Sequence, residues 1–339
     1  VGGNVLQELL FLEGQLVMGV GVGIATYGGH FRVESLLQSF MYRDHGIDPS
    51  EIHIVVSNDG HPTGISDKSR ELAYQLCNQG FVASILDRTF NIGVPGTWNE
   101  LTDFLFGDPR VSSVFLLNDD VMLEDYWLRN GVYFLEHSDP VGAVGFDCYW
   151  FDPPDVPGLI ENPLLVQPRN HDKRDLDAQG LRKHIARRPD SNAPPGRVMA
   201  ANGFAFGFTR DSWDISEKFP EEFIAFHEES HQATFMASKG RPSYIIKWPV
   251  LWHQWSATFH DCRKEINASA IMKRSRKLYC EKWGVPEKFS MSPFDFTHPK
   301  YMAMIPERKV AWMAPAGPME AIDPPCQCPW CQEVRNAGS

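Results

Sequence analysis

The chain has 339 residues, 43% of them hydrophobic, and a formal net charge of -11. That is enough for a large core, as one big domain or as one domain with appendages. The acidity argues against a broad grip on duplex nucleic acid, which needs clustered Lys and Arg, and no apolar run is long enough to span a bilayer.

Residues 1–25 are apolar but carry Glu8 and Glu13 and no basic leader, so a signal peptide is not expected there. The seven cysteines are odd in number, and Cys77, Cys148, Cys262 and Cys280 stand singly. That usage fits a reducing compartment, and so a cytoplasmic location, better than a disulfide framework.

Residues 18–25 mix apolar side chains with Gly19, Gly21 and Gly23 and predict a buried first strand, closed by the turn Thr26-Tyr27-Gly28-Gly29. Phe31, Val33, Leu36, Leu37 and Phe40 follow helical spacing and predict a helix over 31–41. Residues 52–56 predict a second strand, ending in Ser57-Asn58-Asp59-Gly60. A helix is expected around 71–76 and a third strand over 81–86. Residues 91–99, NIGVPGTWN, predict a Gly/Pro-rich loop that leads into a helix over 100–106. Residues 114–117 predict the fourth strand.

Strands alternating with helices predict a mostly parallel sheet with crossover helices, whose ligands bind beyond the carboxyl ends of the strands. Three polar strand ends fall there, at Thr26, Asp59 and Asn118-Asp119-Asp120. The fourth strand stops abruptly in two adjacent carboxylates, and negative charge at the edge of a core needs a cation or donors to meet it. Hard oxygen ligands suit Mg²⁺ or Mn²⁺ that also holds substrate phosphates. The alternative is that Asp119 or Asp120 caps a helix starting near Glu124. There is no GxGxxG turn, since the early glycines alternate within a strand, and no GxxxxGK[ST]; a nicotinamide enzyme and a P-loop kinase are both poorly supported.

Residues 141–149 continue the sheet, and 152–197 change character, with eight prolines among them and the basic residues Arg182, Lys183, Arg187 and Arg188. This predicts an irregular insertion, either an acceptor loop or a solvated excursion. Residues 199–208 are again strand-like, and a helix is expected to open at Thr209. Glu228 and Glu229 stand where an amphipathic helix begins, either as dipole-stabilising surface charges or as a general base raised toward neutrality by its neighbour. A short strand is expected over 244–246. His253 lies between Trp252 and Trp255, which by itself suggests a packed core residue. Residues 262–283 predict a basic helix, with Arg263, Lys264, Lys273, Arg274, Arg276 and Lys277. Near the end, Cys326, Cys328 and Cys331 could hold structural Zn²⁺, with a fourth ligand missing locally.

Taken together, the motifs resemble the large family of inverting nucleotide-sugar glycosyltransferases with the GT-A fold, over residues 17–258. That resemblance implies an α/β, Rossmann-like, mostly parallel sheet with helices on both faces, followed by a helical and irregular extension over 259–339. It implies a metal-dependent enzyme, a hexosyltransferase, moving a sugar from a UDP-sugar donor to an acceptor hydroxyl with inversion. By the same resemblance, Thr26 and Tyr27 would contact the nucleotide, Asp59 the nucleobase, and Asn91, Gly93 and Asn99 would form the N-x-G loop with its later Asn. Asn118-Asp119-Asp120 would take the D-x-D position, with Asp120 on Mn²⁺ or Mg²⁺ and Asp119 on the ribose or sugar; Asn118 departs from the usual first Asp. Glu229 would be the base, with Glu228 the fallback, and His253 a further metal ligand. The acceptor is left open between a glycan, a small molecule and a modified nucleic acid, the last because of the basic insertion and helix. Rival readings are a non-catalytic nucleotide-sugar-binding protein on the same fold and a nucleotidyltransferase, which should show a Gly-rich basic triphosphate loop that this sequence lacks.

Overall fold

Apolar runs without alternation belong to strands covered on both faces, and such strands form the centre of this chain. A computed structural model describes residues 19–138, 140–150, 196–198, 201, 203–253 and 267–284, except the side chains of 147–150, 196–198, 247–250 and 252. Nearly all of the expected insertion and the Cys326, Cys328 and Cys331 cluster lie outside the described residues. In chain order the elements are β1 (Gly19–Thr26), α1 (His30–Tyr42), β2 (Ile52–Asn58), α2 (Asp67–Asn78), β3 (Val82–Asp87), α3 (Gly93–Phe106), β4 (Val111–Asn118) and β5 (Val121–Met122). They continue with α4 (Trp127–His137), β6 (Ala143–Trp150), β7 (Gly196–Val198), β8 (Ala205–Thr209), α5 (Arg210–Ile215), α6 (Glu228–Ser238), β9 (Ser243–His253) and α7 (Ala268–Trp283).

Among the described residues the strands make one sheet in the order β3-β2-β1-β4-β8-β6-β9-β5, with β7 also paired to β9. The first four run parallel, β8 runs against both β4 and β6, and β6 and β9 are again parallel to each other. Adjacent residues of β4 point to opposite faces. Phe115 and Leu117 join a core with Val33, Leu36 and Phe40 of α1, Leu72 and Leu76 of α2 and Trp127 of α4. Val114 and Leu116 join a second core with Trp98, Leu101 and Leu105 of α3 and Trp213 of α5. The alternate glycines of β1 have a packing reason. A Cβ on Gly23 would stand 2.9 Å from Leu116 and 3.1 Å from Leu101, and one on Gly21 3.1 Å from Leu105. Only bare backbone lets α3 lie this close to β1.

Two helix starts differ from the sequence expectation. Helix α3 begins at Gly93, inside the stretch read as a loop. Pro95 is compatible with a first turn because its missing N–H would have no helical partner there. The free N–H groups of that turn are met from elsewhere: Ile92 donates to Asp59 Oδ1 at 2.8 Å and Val94 to the Ile224 carbonyl at 2.9 Å. Helix α4 begins at Trp127 after a left-handed Tyr126, so neither Asp119 nor Asp120 caps it. Strand β9 is much longer than the three residues expected, because it spans the edge from β7 to β5. No helix among the described residues is long and apolar enough to cross a membrane.

Gly131 on α4 tests this packing. A Cβ there would lie 2.6 Å from the Phe115 ring and 3.0 Å from that of Phe146. Helix propensity alone favours Ala over Gly by about 1 kcal/mol. Overpacking against two buried rings costs about 1–3 kcal/mol and should win. Gly131→Ala is therefore expected to lower the urea midpoint; a raised midpoint would show that the rings yield.

Candidate active site

The register of the parallel strands places their polar ends side by side. Thr26 pairs with Asn58, Asn58 with Asp87, and Ala25 with Asn118. Asp119 and Asp120 follow in the turn between β4 and β5, and both are buried. Asp119 is tied into the fold. The Thr26 hydroxyl donates to Oδ2 at 2.6 Å, and Arg32 Nε, from the first turn of α1, lies 3.2 Å from Oδ1. Burial raises the pKa of this carboxyl and the neighbouring Asp120 adds to the rise, while Arg32 and Thr26 pull it down.

Asp120 meets a different partner. Its Oδ1 lies 3.2 Å from Nε2 of His253, the last residue of β9, which Val121 of β5 holds in register. The imidazole is stacked on Phe204 with ring centroids 4.7 Å apart and an angle of 17°. Phe204 leads into β8, and its carbonyl accepts the Asn118 N–H at 2.9 Å. The neighbouring Gly203 faces another group of residues. A Cβ on it would stand 3.3 Å from the Trp98 ring and 3.5 Å from Cγ of Glu229. Residues 203 and 204 thus put the Glu229 carboxylate on one side and the Asp120–His253 pair on the other.

Glu228 and Glu229 open α6, after a turn in which Phe226 and His227 are left-handed. Glu228 is buried, and its Oε2 has no hydrogen-bond partner among the described residues. Burial pushes its pKa well above the usual carboxylate range, and the charge of Glu229 pushes it further. Glu229 is also raised by burial, but its own backbone N–H and that of Ser230 oppose the shift. His227 and His231 are lowered to about 4 by burial, with Arg276 and Lys282 adding to the effect. Both imidazoles are therefore neutral at pH 7. Trp283 Nε1 donates to His231 Nδ1 at 3.0 Å, which leaves the proton on Nε2.

The nucleotide-side residues expected from the sequence sit along the same strand edge. Tyr27 packs edge-on against His61 at 4.9 Å. Asp59 is buried, 3.5 Å from Arg88, and burial raises its pKa against the pull of Ile92, Thr97 and Arg88. Asn91 accepts the N–H of Gly93, whose φ of 79° and contact with the Ile224 carbonyl exclude a side chain. Asn99 does not join this group. Its amide donates to the Phe219 carbonyl and accepts the Phe219 N–H, both at 2.9 Å, so it clamps the chain ahead of α6. Gly203 and Phe204 fall in the glycine-bearing, strand-like run over 199–208 and Trp98 in the 91–99 stretch, both singled out in the sequence, whereas the parts played by Arg32 and the neutral His231 were not anticipated.

Among the described residues no group of three or more His, Cys, Asp and Glu side chains could hold a metal ion. A hard cation that keeps water and substrate phosphates needs only one or two protein ligands. At metal–ligand lengths of about 2.1 Å, adjacent octahedral ligands stand about 3 Å apart. The 3.2 Å between Asp120 and His253 fits that spacing.

No protein-family model matches the sequence, and no curated protein matches it. Solved structures match by shape. S. aureus TarS aligns over 78% of this chain and 40% of its own, at 13% identity and a TM-score of 0.50. S. aureus TarS 1-349 in complex with UDP-GlcNAc aligns over 78% of this chain and 66% of that one, again at 13% identity and 0.50. The mannosyltransferase PcManGT from Pyrobaculum calidifontis, in complex with GDP-Man and Mn²⁺, aligns over 78% and 63% at 16% identity and 0.49. The chain spans less than two thirds of the length of each. The chain has the GT-A fold. The polar strand ends and the β4–β5 turn lie together at the carboxyl edge of the parallel strands.

The buried acid pair predicts a pH effect of definite sign. A carboxyl whose pKa is higher in the folded chain than its ordinary 4.5 loses stability for the fold as pH rises from 4.5 through the folded value. Glu228→Gln removes that loss. Its melting temperature should exceed that of the wild type at pH 8 and match it at pH 4, as read by calorimetry across pH. A variant less stable at pH 8 would mean that Glu228 is ionised and held by donors.

Proposed function

We propose that the protein is a metal-dependent glycosyltransferase that moves a sugar from a UDP-sugar donor to an acceptor hydroxyl, with inversion. The observation that carries this reading is the Gly203-Phe204 junction, which sets a carboxylate pair beside an Asp–His pair at the carboxyl edge of the sheet. The TarS complex with UDP-GlcNAc, on the same fold, supports the choice of a uridine donor for the first tests. Asp120 and His253 would hold the divalent ion, whose charge would stabilise the leaving diphosphate. A mixed carboxylate and imidazole pair favours Mn²⁺ over Mg²⁺, because imidazole is a softer ligand than Mg²⁺ prefers. Thr26, Tyr27, Asp59, Asn91, Gly93 and Asn118 line the strand ends where the nucleotide would lie. Asp119, held by Thr26 and Arg32, fixes the turn that presents Asp120 and leaves its remaining accepting capacity to the donor's ribose or sugar.

The two glutamates divide the proton work. Burial raises both carboxyls, and the charge of Glu229 adds to the rise at Glu228, so the proposed division gives the role of base to Glu229. Glu229 takes the proton of the acceptor hydroxyl as its oxygen forms a bond to the anomeric carbon. The bond from that carbon to the diphosphate oxygen breaks, and the diphosphate leaves with the electron pair. Attack from the face opposite the leaving group inverts the configuration. The pKa of Glu229, lifted by burial, brings the base closer to the working pH.

The first test is thermal unfolding with UDP-GlcNAc and other UDP-sugars, with and without Mn²⁺. Ligand at about a hundredfold its Kd should stabilise the native state by about 2.7 kcal/mol. No stabilisation by any nucleotide sugar would end the proposal. Asp120→Ala should keep the circular dichroism spectrum, lose the Mn²⁺-dependent part of that stabilisation and lower transfer by about 10²–10³-fold. Glu229→Gln should lower kcat by about 10²–10⁴-fold with donor binding retained. Unchanged turnover in Glu229→Gln would pass the role of base to another group.

A further inference from the structure

The turn that delivers Glu228 and Glu229 is held in an unfavourable backbone shape. Ile224, Phe226 and His227 have φ of 64°, 65° and 67°, positive values that side chains resist, and Ile224 is β-branched. Such a turn keeps its form only if its surroundings over-determine it. On one side α3 supplies the Val94 N–H, which donates to the Ile224 carbonyl at 2.9 Å. On the other side stands α7. Ser275 is fully buried, and its hydroxyl lies 2.6 Å from the Phe223 carbonyl and 2.7 Å from that of Ala225, the two that flank Ile224. A hydroxyl has one proton, so it is shared between these two acceptors. Two more residues of the same helix bind α6: the Tyr279 hydroxyl pairs with Thr234 at 2.7 Å and Trp283 donates to His231 at 3.0 Å.

We propose that Ser275 is a positioning residue for the base: its shared hydroxyl proton fixes the positive-φ turn at Ile224 and so sets where Glu229 stands, without touching substrate. The proposal rests on Glu229 being the base of the reaction described above. It makes α7, which lies outside the strands of the GT-A sheet, part of the machinery that aims that carboxylate.

The test compares Ser275→Ala with Ser212→Ala. Ser212 is another buried serine, on α5, whose hydroxyl donates to the Val141 carbonyl at 2.7 Å. Both changes remove a buried hydroxyl-to-carbonyl bond, and both should lower the melting temperature. Only Ser275→Ala should speed amide hydrogen exchange over residues 224–231. Only it should lower kcat, by about tenfold, with the KM for the UDP-sugar kept within about twofold, as expected for a displaced base. Ser275→Cys, a weak donor of similar shape, should fall between Ala and wild type, and it carries the test if Ser275→Ala does not fold. Exchange and kcat no different from those of Ser212→Ala would overturn the proposal. If the wild type transfers no sugar, the functional reading fails on its own, and the exchange measurement still decides whether Ser275 holds the turn.

Discussion

A carboxylate withdrawn from water needs compensation, and the compensation given to Asp119 sets the geometry of the whole strand edge. The cost of burying such an ion is several kcal/mol unless a partner and hydrogen bonds meet it. Here the partner is Arg32 from α1 and the hydrogen bond comes from Thr26 at the end of β1. Three segments, β1, α1 and the β4–β5 turn, are therefore referenced to one side chain. The packing is tight enough that a Cβ at Gly29 would run into both Asp119 and Arg32. With Asp119 fixed, the next residue has little choice of direction, and Asp120 meets His253 at the end of β9. Of the two adjacent acids, one is held by the fold and the other stands with an imidazole where chemistry is proposed.

A second constraint runs through the first turn of α3. Its N–H groups have no partners within the helix. One of them, Ile92, bonds to Asp59 at the end of β2, and another, Val94, bonds to the carbonyl of Ile224 ahead of α6. Further along the same helix, Asn99 grips the backbone of Phe219, and Trp98 packs against Phe206 and Phe219. The helix is thus a rigid spacer between the expected donor side and the carboxylate side. Glycines at 21 and 23 allow this spacer to sit directly on β1, where rigid backbone supports it. Catalysis by positioning needs this kind of rigidity, since small displacements of a reacting group lose much of the rate.

These constraints also explain what could be read from the sequence. Parallel strands buried on both faces leave apolar runs, so β1, β2 and β4 and their polar ends at Thr26, Asp59 and Asp119-Asp120 were legible. The start of α3 was not, because Gly93, Pro95 and Gly96 carry loop signals in isolation, and only Asp59 and Ile224, distant in sequence, satisfy the turn they form. Asn99 entered only through the resemblance, and nothing local marks it as a clamp; its partner lies at Phe219, 120 positions on. The basic character of α7 was visible, but its working face was not. That face is Ser275, Tyr279 and Trp283, which hydrogen-bond into the fold and carry no apolar stripe that periodicity would detect. Long-range polar pairing is specified by tertiary geometry and leaves little local trace.

The strained turn before α6 gives a reason for the second glutamate. Each non-glycine residue held at positive φ costs about 1–3 kcal/mol, and the turn before α6 is bonded within itself, from the Ala225 N–H to the Phe223 carbonyl, as well as to α3 and α7. The result is a helix start in which two carboxyls are adjacent, Glu228 buried and Glu229 half-buried. The positive end of the helix favours ionisation, but burial works against it, and two charges this close resist ionising together. Burial and the charge of its neighbour both push Glu228, the less exposed of the two, toward its neutral form. On the proposed reading the site then holds two negative charges, on Glu229 and Asp120, with Asp119 offset by Arg32. An anionic diphosphate entering alone would meet repulsion from both. Arriving with a dication at Asp120 and His253, it would meet attraction instead, which makes donor and metal binding mutually dependent.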